Sequence, residues 1–170
     1  MNKVYLLTGS NMGDRINHLD KAAESIEASG MAVTERSPVY ETGAWGKTDQ
    51  PAFLNQVLLV ETALDPDATM RLLLKIEEKA GRKRLEKYGP RTIDIDILLF
   101  NEDSIDTALV TIPHPELQNR RFALQPLADI AGDLKHPVLQ RTIFQLLQLC
   151  NDDLPVTKWE QSLPYQTSNE

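Results

Sequence analysis

Apolar residues recur along this chain in two rhythms, and the switches between them predict the order of elements. Lys3 to Thr8 is a short apolar run that reads as a strand. After Gly9-Ser10-Asn11-Met12-Gly13, Ile16, Leu19, Ala23 and Ile26 fall on one helical face, capped by Asp14 or Asn11 and stopped by Gly30. Met31 to Arg36 predicts a second strand, broken or bent at Ser37-Pro38. Glu41 to Pro51 has the composition of a loop. Phe53 to Thr62 is apolar on both faces, so this strand is central or covered. Asp65-Pro66-Asp67 opens a second helix with the stripe Met70, Leu73, Leu74, Glu77 and Ala80, ending at Gly81. A strand follows from Ile93 to Phe100, entered through Gly89-Pro90. Past the turn Asn101-Glu102-Asp103-Ser104, Ala108 to Ile112 is a short extended piece and Arg141 to Cys150 a last amphipathic helix. Leu154 to Glu170 lacks periodicity, and from about residue 155 it reads as a loose tail.

The order strand, helix, strand, strand, helix, strand is the split βαβ arrangement of ferredoxin-like folds. The expected class is α+β, with one layer of helices packed on a largely antiparallel sheet. No internal repeat or interdomain linker interrupts the 170 residues, so residues 1–170 read as a single domain.

Composition narrows the function. A net charge of −7 argues against general binding to nucleic acid or to an anionic membrane surface. Cys150 is the single cysteine; it permits no internal disulfide, fits a reducing compartment and lies in an apolar run, as a buried structural thiol does. Neither a signal peptide nor a run near the ~20 apolar residues of a membrane span is evident. A cytoplasmic protein acting as a monomer on small molecules is expected, with no nucleic-acid or membrane partner.

The chemistry concentrates on the strand from Ile93. Period-two geometry puts Asp94, Asp96, Leu98 and Phe100 on one face, and Ile93, Ile95, Ile97 and Leu99 on the other. The two carboxylates then sit about 6.5 Å apart. Such a pair can simply face water on a one-sided sheet. Its neighbourhood decides otherwise: Arg71 to Arg91 holds eight basic side chains against three acidic ones. A cationic segment running into paired hard oxygen ligands is what a polyphosphate with bound magnesium needs. Asp94 and Asp96 are therefore read as metal ligands and as the catalytic centre. Like charges crowded along Arg82 to Gly89 predict a loop that is open alone and closes over a bound polyphosphate.

Other candidates keep two readings. The Gly9 to Gly13 stretch could cradle phosphate on backbone N–H groups, or make a plain strand-to-helix turn, which is the simpler reading. Trp45, in a loop flanked by glycines, is either a ligand contact or an anchor to the core. Asn55 interrupts the Phe53, Val57, Leu59 face, and its amide could read the edge of a heterocycle. Glu77 lies on the apolar stripe of its helix, where it pairs with an arginine of the next loop or serves catalysis.

The stretch Lys87-Tyr88-Gly89-Pro90-Arg91-Thr92-Ile93-Asp94-Ile95-Asp96-Ile97-Leu98 resembles the signature of the 6-hydroxymethyl-7,8-dihydropterin pyrophosphokinases, a folate-pathway family. The resemblance extends in order through Gly9-Ser10-Asn11, Tyr40-Glu41-Thr42, Gln50 to Asn55, Ile76-Glu77, Gly81-Arg82, Ile112 to Pro115 and Asn119 to Phe122. It implies transfer of the pyrophosphoryl group of ATP to the pterin alcohol, with two magnesium ions on Asp94 and Asp96. It implies catalytic roles for Arg82, Arg84 and Arg91, and nucleotide contacts by these arginines with Glu77, Ile97, His114 and Arg120. The pterin would lie between Phe53 and Phe122 and meet Thr42, Gly43, Trp45, Asn55 and Asp94. Gly43 stands where the family pattern has proline, Phe53 where it has tyrosine, and the Arg82 to Gly89 loop is one residue shorter. The rival readings are a ferredoxin-like two-metal nucleotidyl transferase or cyclase, and a non-enzymatic small-molecule-binding module.

Overall fold

A computed structural model describes residues 1–43, 51–81 and 92–160. Three long antiparallel strands form one side of its main sheet: β1 (Asn2–Ser10) lies between β4 (Phe53–Thr62) and the edge strand β5 (Asp94–Phe100). On the far side of β4 run β2 (Ala32–Arg36) and β3 (Tyr40–Thr42), and β8 (Val156–Lys158) extends the sheet beyond β3. A separate ribbon pairs β6 (Ile105–Asp106) with β7 (Thr111–Ile112). The protein is α+β.

Capping chemistry sets the helices. In α1 (Arg15–Ala28) the Asp14 carboxylate accepts the Asn17 N–H at 3.2 Å, which settles the cap on Asp14. Gly30 follows at φ +101°, a conformation that costs glycine little. In α2 (Pro66–Lys79) Asp65 accepts the Ala68 N–H at 2.8 Å, and Pro66 occupies the first turn. The buried face of α2 is Thr69, Leu73, Ile76 and Glu77; Leu74 is half-buried and Ala80 exposed, so the stripe is rotated from the predicted one. The predicted break at Ser37-Pro38 separates β2 from β3. Ser37 keys it to β4: its hydroxyl accepts the Val57 N–H at 2.9 Å, and its carbonyl accepts from the Gln56 amide at 2.9 Å.

Helices cover both faces of the sheet, not one. Leu19, Ala23 and Ile26 of α1 and Leu73 of α2 pack on Val4, Leu6, Leu58, Ile95 and Ile97. The opposite face, with Leu7, Val57 and Leu99, is buried by α3 (Arg121–Ala131) and α4 (Ile143–Leu149). Sequence periodicity missed α3, because two arginines open it without a side-chain cap and Pro126 sits inside it. Burial of Ala123, Leu124, Leu127 and Ala128 holds it in place. α4 is shorter than predicted: a reciprocal capping box between Thr142 and Gln145 starts it after Arg141. The predicted loose tail also needs correction, since Val156–Lys158 pairs with β3.

One irregularity changes the reading of β5. Tyr5 lies opposite Leu99 and Leu6 opposite Ile97, so Leu98 is an extra residue on that strand. The bulge reverses the alternation beyond it. Asp94 and Asp96 stay on one face as predicted, whereas Phe100 joins Ile93, Ile95 and Ile97 in the core on the other.

Candidate active site

The α3 and α4 layer leaves one end of its sheet face uncovered, and a cleft opens there. Gly9 pairs with Asn55 on one side and with Asp94 on the other, while Leu7 lies opposite Asp96. Thr42 pairs with Phe53. The cleft is lined by these residues together with Gly43, Arg120 and Phe122. Gly9 is required by this packing: a Cβ there would stand 2.5 Å from the Asn55 amide nitrogen and 3.5 Å from the Phe53 ring.

In the cleft wall, the side-chain oxygen of Asn55 and the hydroxyl of Thr42 are buried and make no hydrogen bond among the described residues. The Asn55 amide nitrogen reaches the Thr8 carbonyl only at 3.5 Å. Buried polar groups normally find partners, so such atoms beside an aromatic pair point to a polar, flat ligand. The groove between α1 and α2, lined by His18, Lys21, Lys75 and Lys79, is larger, at about 580 Å³ against about 70 Å³. Size does not decide the site. The convergence of rings, orphaned polar atoms and two carboxylates does.

Behind the cleft, α3 is fixed at both ends. The Arg121 backbone N–H donates to the Asp152 carboxylate at 3.1 Å and its guanidinium to the carbonyls of Asp152 and Cys150. The Tyr40 hydroxyl donates to Asp129; burial, then that bond, pushes Tyr40 up to about 12, so it remains a neutral donor. These contacts seat Phe122 in the first turn of α3, with the Arg120 guanidinium 5.7 Å from the centre of its ring.

His114 follows the β6–β7 ribbon and is tied to β5 by its backbone N–H, which donates to the Leu98 carbonyl at 3.0 Å. Its Nδ1 accepts the Glu116 N–H at 3.1 Å, which leaves Nε2 to carry the proton of the neutral ring. Burial, and next the nearby Arg120 charge, lower its pKa to about 4, against a smaller opposing effect of Glu116. At neutral pH it is an uncharged N–H donor beside a cation.

Residues 5–132 match the family of 7,8-dihydro-6-hydroxymethylpterin-pyrophosphokinases. The chain belongs to this pyrophosphokinase family. It is 43% identical over 143 residues to the 2-amino-4-hydroxy-6-hydroxymethyldihydropteridine pyrophosphokinase of Aquifex aeolicus, covering 84% of this chain and 89% of that protein. It is 42% identical to the enzyme of the same name from Bacillus subtilis, over 79% of this chain and 81% of that protein. The folic acid synthesis protein fol1 of Pneumocystis carinii is also 42% identical, over 79% of this chain but 18% of its own much longer one. Among solved structures, Plasmodium falciparum HPPK-DHPS with pteroate superposes at a TM-score of 0.70 and 18% identity, covering 87% of this chain and 42% of that one. At that identity the likeness speaks for the fold.

Within the pyrophosphokinase frame, the structure brings together Thr42, Gly43, Phe53, Asn55, Asp94, Asp96, Arg120 and Phe122 around one cleft. It does not bring Ile97 there by its side chain, which is buried in the core under α1 and α2. Glu77 is also buried, and its carboxylate accepts the Ile95 N–H at 2.6 Å, joining α2 to β5 behind the carboxylate pair. Trp45, Arg82, Arg84 and Arg91 lie outside the described residues, as do the predicted closing loop and Lys83 and Lys87. In the Gly9 to Gly13 stretch, Gly9 and Ser10 end β1, the Ser10 hydroxyl meets His18 Nδ1 at 3.3 Å, and Asn11 donates to the Pro51 carbonyl. Leu7 and Gly9 are cleft residues that sequence reasoning did not assign. A glycine inside an apolar strand was the available signal for the second.

Magnesium fits the donor set. Asp94 and Asp96 are hard oxygen donors, half-buried on one face of β5 at the cleft. Among the described residues no group of three or more acidic, histidine or cysteine side chains gathers elsewhere to hold an ion. Asp94 and Asp96 would hold the ion from the protein side and leave it open to phosphate oxygens and water.

Proposed function

We propose that this chain transfers the pyrophosphoryl group of ATP to 6-hydroxymethyl-7,8-dihydropterin in folate biosynthesis, giving AMP and the pterin diphosphate. The observation that carries the reading is a cleft with an aromatic pair and orphaned polar atoms at one end and a carboxylate pair at the other. The ring system lies between Phe53 and Phe122, where stacking holds a flat bicycle. Asn55 and Thr42 satisfy its polar edge. Its hydroxymethyl group then points toward Asp94 and Asp96.

The pterin oxygen attacks the β-phosphorus, the bond from that phosphorus to the α–β bridging oxygen breaks, and AMP leaves with the bond's electron pair. The hydroxyl proton passes to solvent. Asp94 and Asp96 would hold magnesium, two ions by family resemblance, which would supply charge neutralisation for the triphosphate and a more acidic pterin hydroxyl. His114 donates through Nε2 and Arg120 through its guanidinium to phosphate oxygens. Arg82, Arg84 and Arg91 hold the migrating group, a role that rests on their places in the motif. The sheet order β5-β1-β4-β3 supports the ferredoxin-like reading of the first five strands. A monomeric enzyme in a reducing cytoplasm is consistent with the single buried cysteine; no helix among the described residues is long and apolar enough to cross a membrane.

Incubation with MgATP and the pterin alcohol tests the proposal. AMP is the expected nucleotide product. Release of pyrophosphate would point to a nucleotidyl transferase or cyclase, and turnover of neither substrate would overturn the assignment.

A further inference from the structure

We infer that Arg15, backed by Trp159, is a positioning residue for the pterin end of the cleft. The inference rests on the pterin reading of that cleft. Arg15 is the first residue of α1, and it binds neither wall of the cleft directly. Its terminal nitrogen donates to the Glu41 carboxylate at 2.7 Å and to the Ala52 carbonyl at 2.9 Å. Glu41 directly precedes Thr42 and Gly43, and Ala52 directly precedes Phe53, all three of them cleft residues. A single guanidinium therefore ties together the two chain stems that carry Thr42 with Gly43 and Phe53, paired at the end of β3 and the start of β4. The Asn11 amide adds a parallel tie to the Pro51 carbonyl at 3.2 Å.

The clamp has its own support. The Arg15 guanidinium stacks over the Trp159 ring at 5.1 Å, and the Trp159 backbone N–H donates to the Val39 carbonyl at 2.8 Å. Trp159 directly follows β8, so the strand that periodicity left in a tail ends against the residue that aligns the cleft stems. The Arg15 and Glu41 side chains keep 22% and 36% of their surface in water. An ion pair so exposed adds little to global stability, because solvent screens it. Its consequence is geometric: it braces the end of the β3–β4 pairing, where Thr42 stands opposite Phe53 and Gly43 follows. Releasing it should loosen pterin binding and leave the phosphate end alone, since Asp94, Asp96 and His114 stand on β5 and the segment after β7.

The test compares Arg15→Ala, Arg15→Lys, Trp159→Phe and Trp159→Ala with the unaltered chain. Readouts are pterin affinity by calorimetry, the two KM values, kcat and the thermal midpoint. Arg15→Ala should raise the pterin Kd and KM by about tenfold or more, the scale at which a small misplacement is felt. KM for MgATP, kcat at saturating pterin and the thermal midpoint should barely move. Trp159→Phe should preserve pterin affinity and Trp159→Ala should not, with Arg15→Lys intermediate because it keeps the charge without the planar stack. Unchanged pterin affinity in Arg15→Ala would overturn the inference, as would equal losses for both ligands together with a lowered midpoint. Failure of the unaltered chain to bind the pterin would instead overturn the reading of the cleft.

Discussion

Asn55 carries the clearest division of labour in the cleft. Its side-chain oxygen is buried with no hydrogen-bond partner among the described residues, a cost in free energy that a complementary heterocycle edge would offset. Asn55→Ala should weaken pterin binding by about 10- to 100-fold, the equivalent of roughly 1–3 kcal/mol for a lost buried partner. MgATP binding should change less than twofold. Calorimetry with each ligand separately checks this, and equal losses would make Asn55 a structural residue. Gly9 is its counterpart: Gly9→Ala inserts a methyl 2.5 Å from the Asn55 amide nitrogen, so Asn55 or the strand must shift. We expect destabilisation of about 1–3 kcal/mol in a denaturant titration, as for other overpacked sites, and a larger loss of pterin affinity than Asn55→Ala alone produces. At the other end, Asp94→Ala or Asp96→Ala should abolish turnover while the thermal midpoint holds or rises, because removing one of two neighbouring carboxylates relieves repulsion in the metal-free site. Near-normal rates at saturating magnesium would contradict the metal role.

Among the elements, α3 has the widest reach. It buries Leu124 and Leu127 completely, supports the second core and carries Phe122 in its first turn. Leu124→Ala should cost about 2–5 kcal/mol by opening a cavity in a packed core. It should also reduce pterin affinity without touching the cleft, since a helix that settles differently moves the Phe122 ring. A denaturant series with parallel pterin titrations would show whether both effects appear; a stability loss with intact affinity would mean that the Arg121 contacts to Cys150 and Asp152 suffice to hold the ring. α3 is also where periodicity gave least help. Its hydrophobic positions are clear once its partners Leu7, Val57 and Leu99 are known. In the bare sequence, the opening arginines and the internal Pro126 speak for a loop. α1 and α2 differ because their signals are local: an acidic cap, an amphipathic stripe and a terminal glycine. β8 lies at the opposite extreme, with three residues, no pattern, and a strand identity that exists only beside β3.

For the molecule as a whole, two histidines make stability depend on pH. His114 is lowered from an ordinary 6.5 to about 4 by burial and then by Arg120, and burial also lowers His136. In both cases the folded state binds the proton more weakly than the unfolded chain does. For His114 the associated stability is fully present above about pH 6.5 and is lost as the pH falls toward 4, and the His136 contribution declines in the same direction. The urea midpoint should therefore decline between pH 7 and pH 5, before most carboxylates titrate, and His114→Gln should make that decline shallower. A decline of unchanged steepness in the variant would assign it to His136 and other groups.

Local chemistry in the sequence determined the strands and helices whose signals lie within a few residues, the shared face of Asp94 and Asp96, and a family signature long enough to name the chemistry. It did so because turns, caps and period-two or period-3.6 patterns are short-range properties. Only tertiary structure decided that helices cover both faces of the sheet, that the bulge at Leu98 moves Phe100 into the opposite core, and that Val156–Lys158 is a strand. The same holds for the cleft. Gly9, Thr42, Asn55, Asp94 and Phe122 lie far apart along the chain, and the pairing of β1 with β4 and β5, closed by α3, brings them together. Such contacts depend on strand register and on which apolar surfaces remain to be buried, and both are set by the whole chain at once.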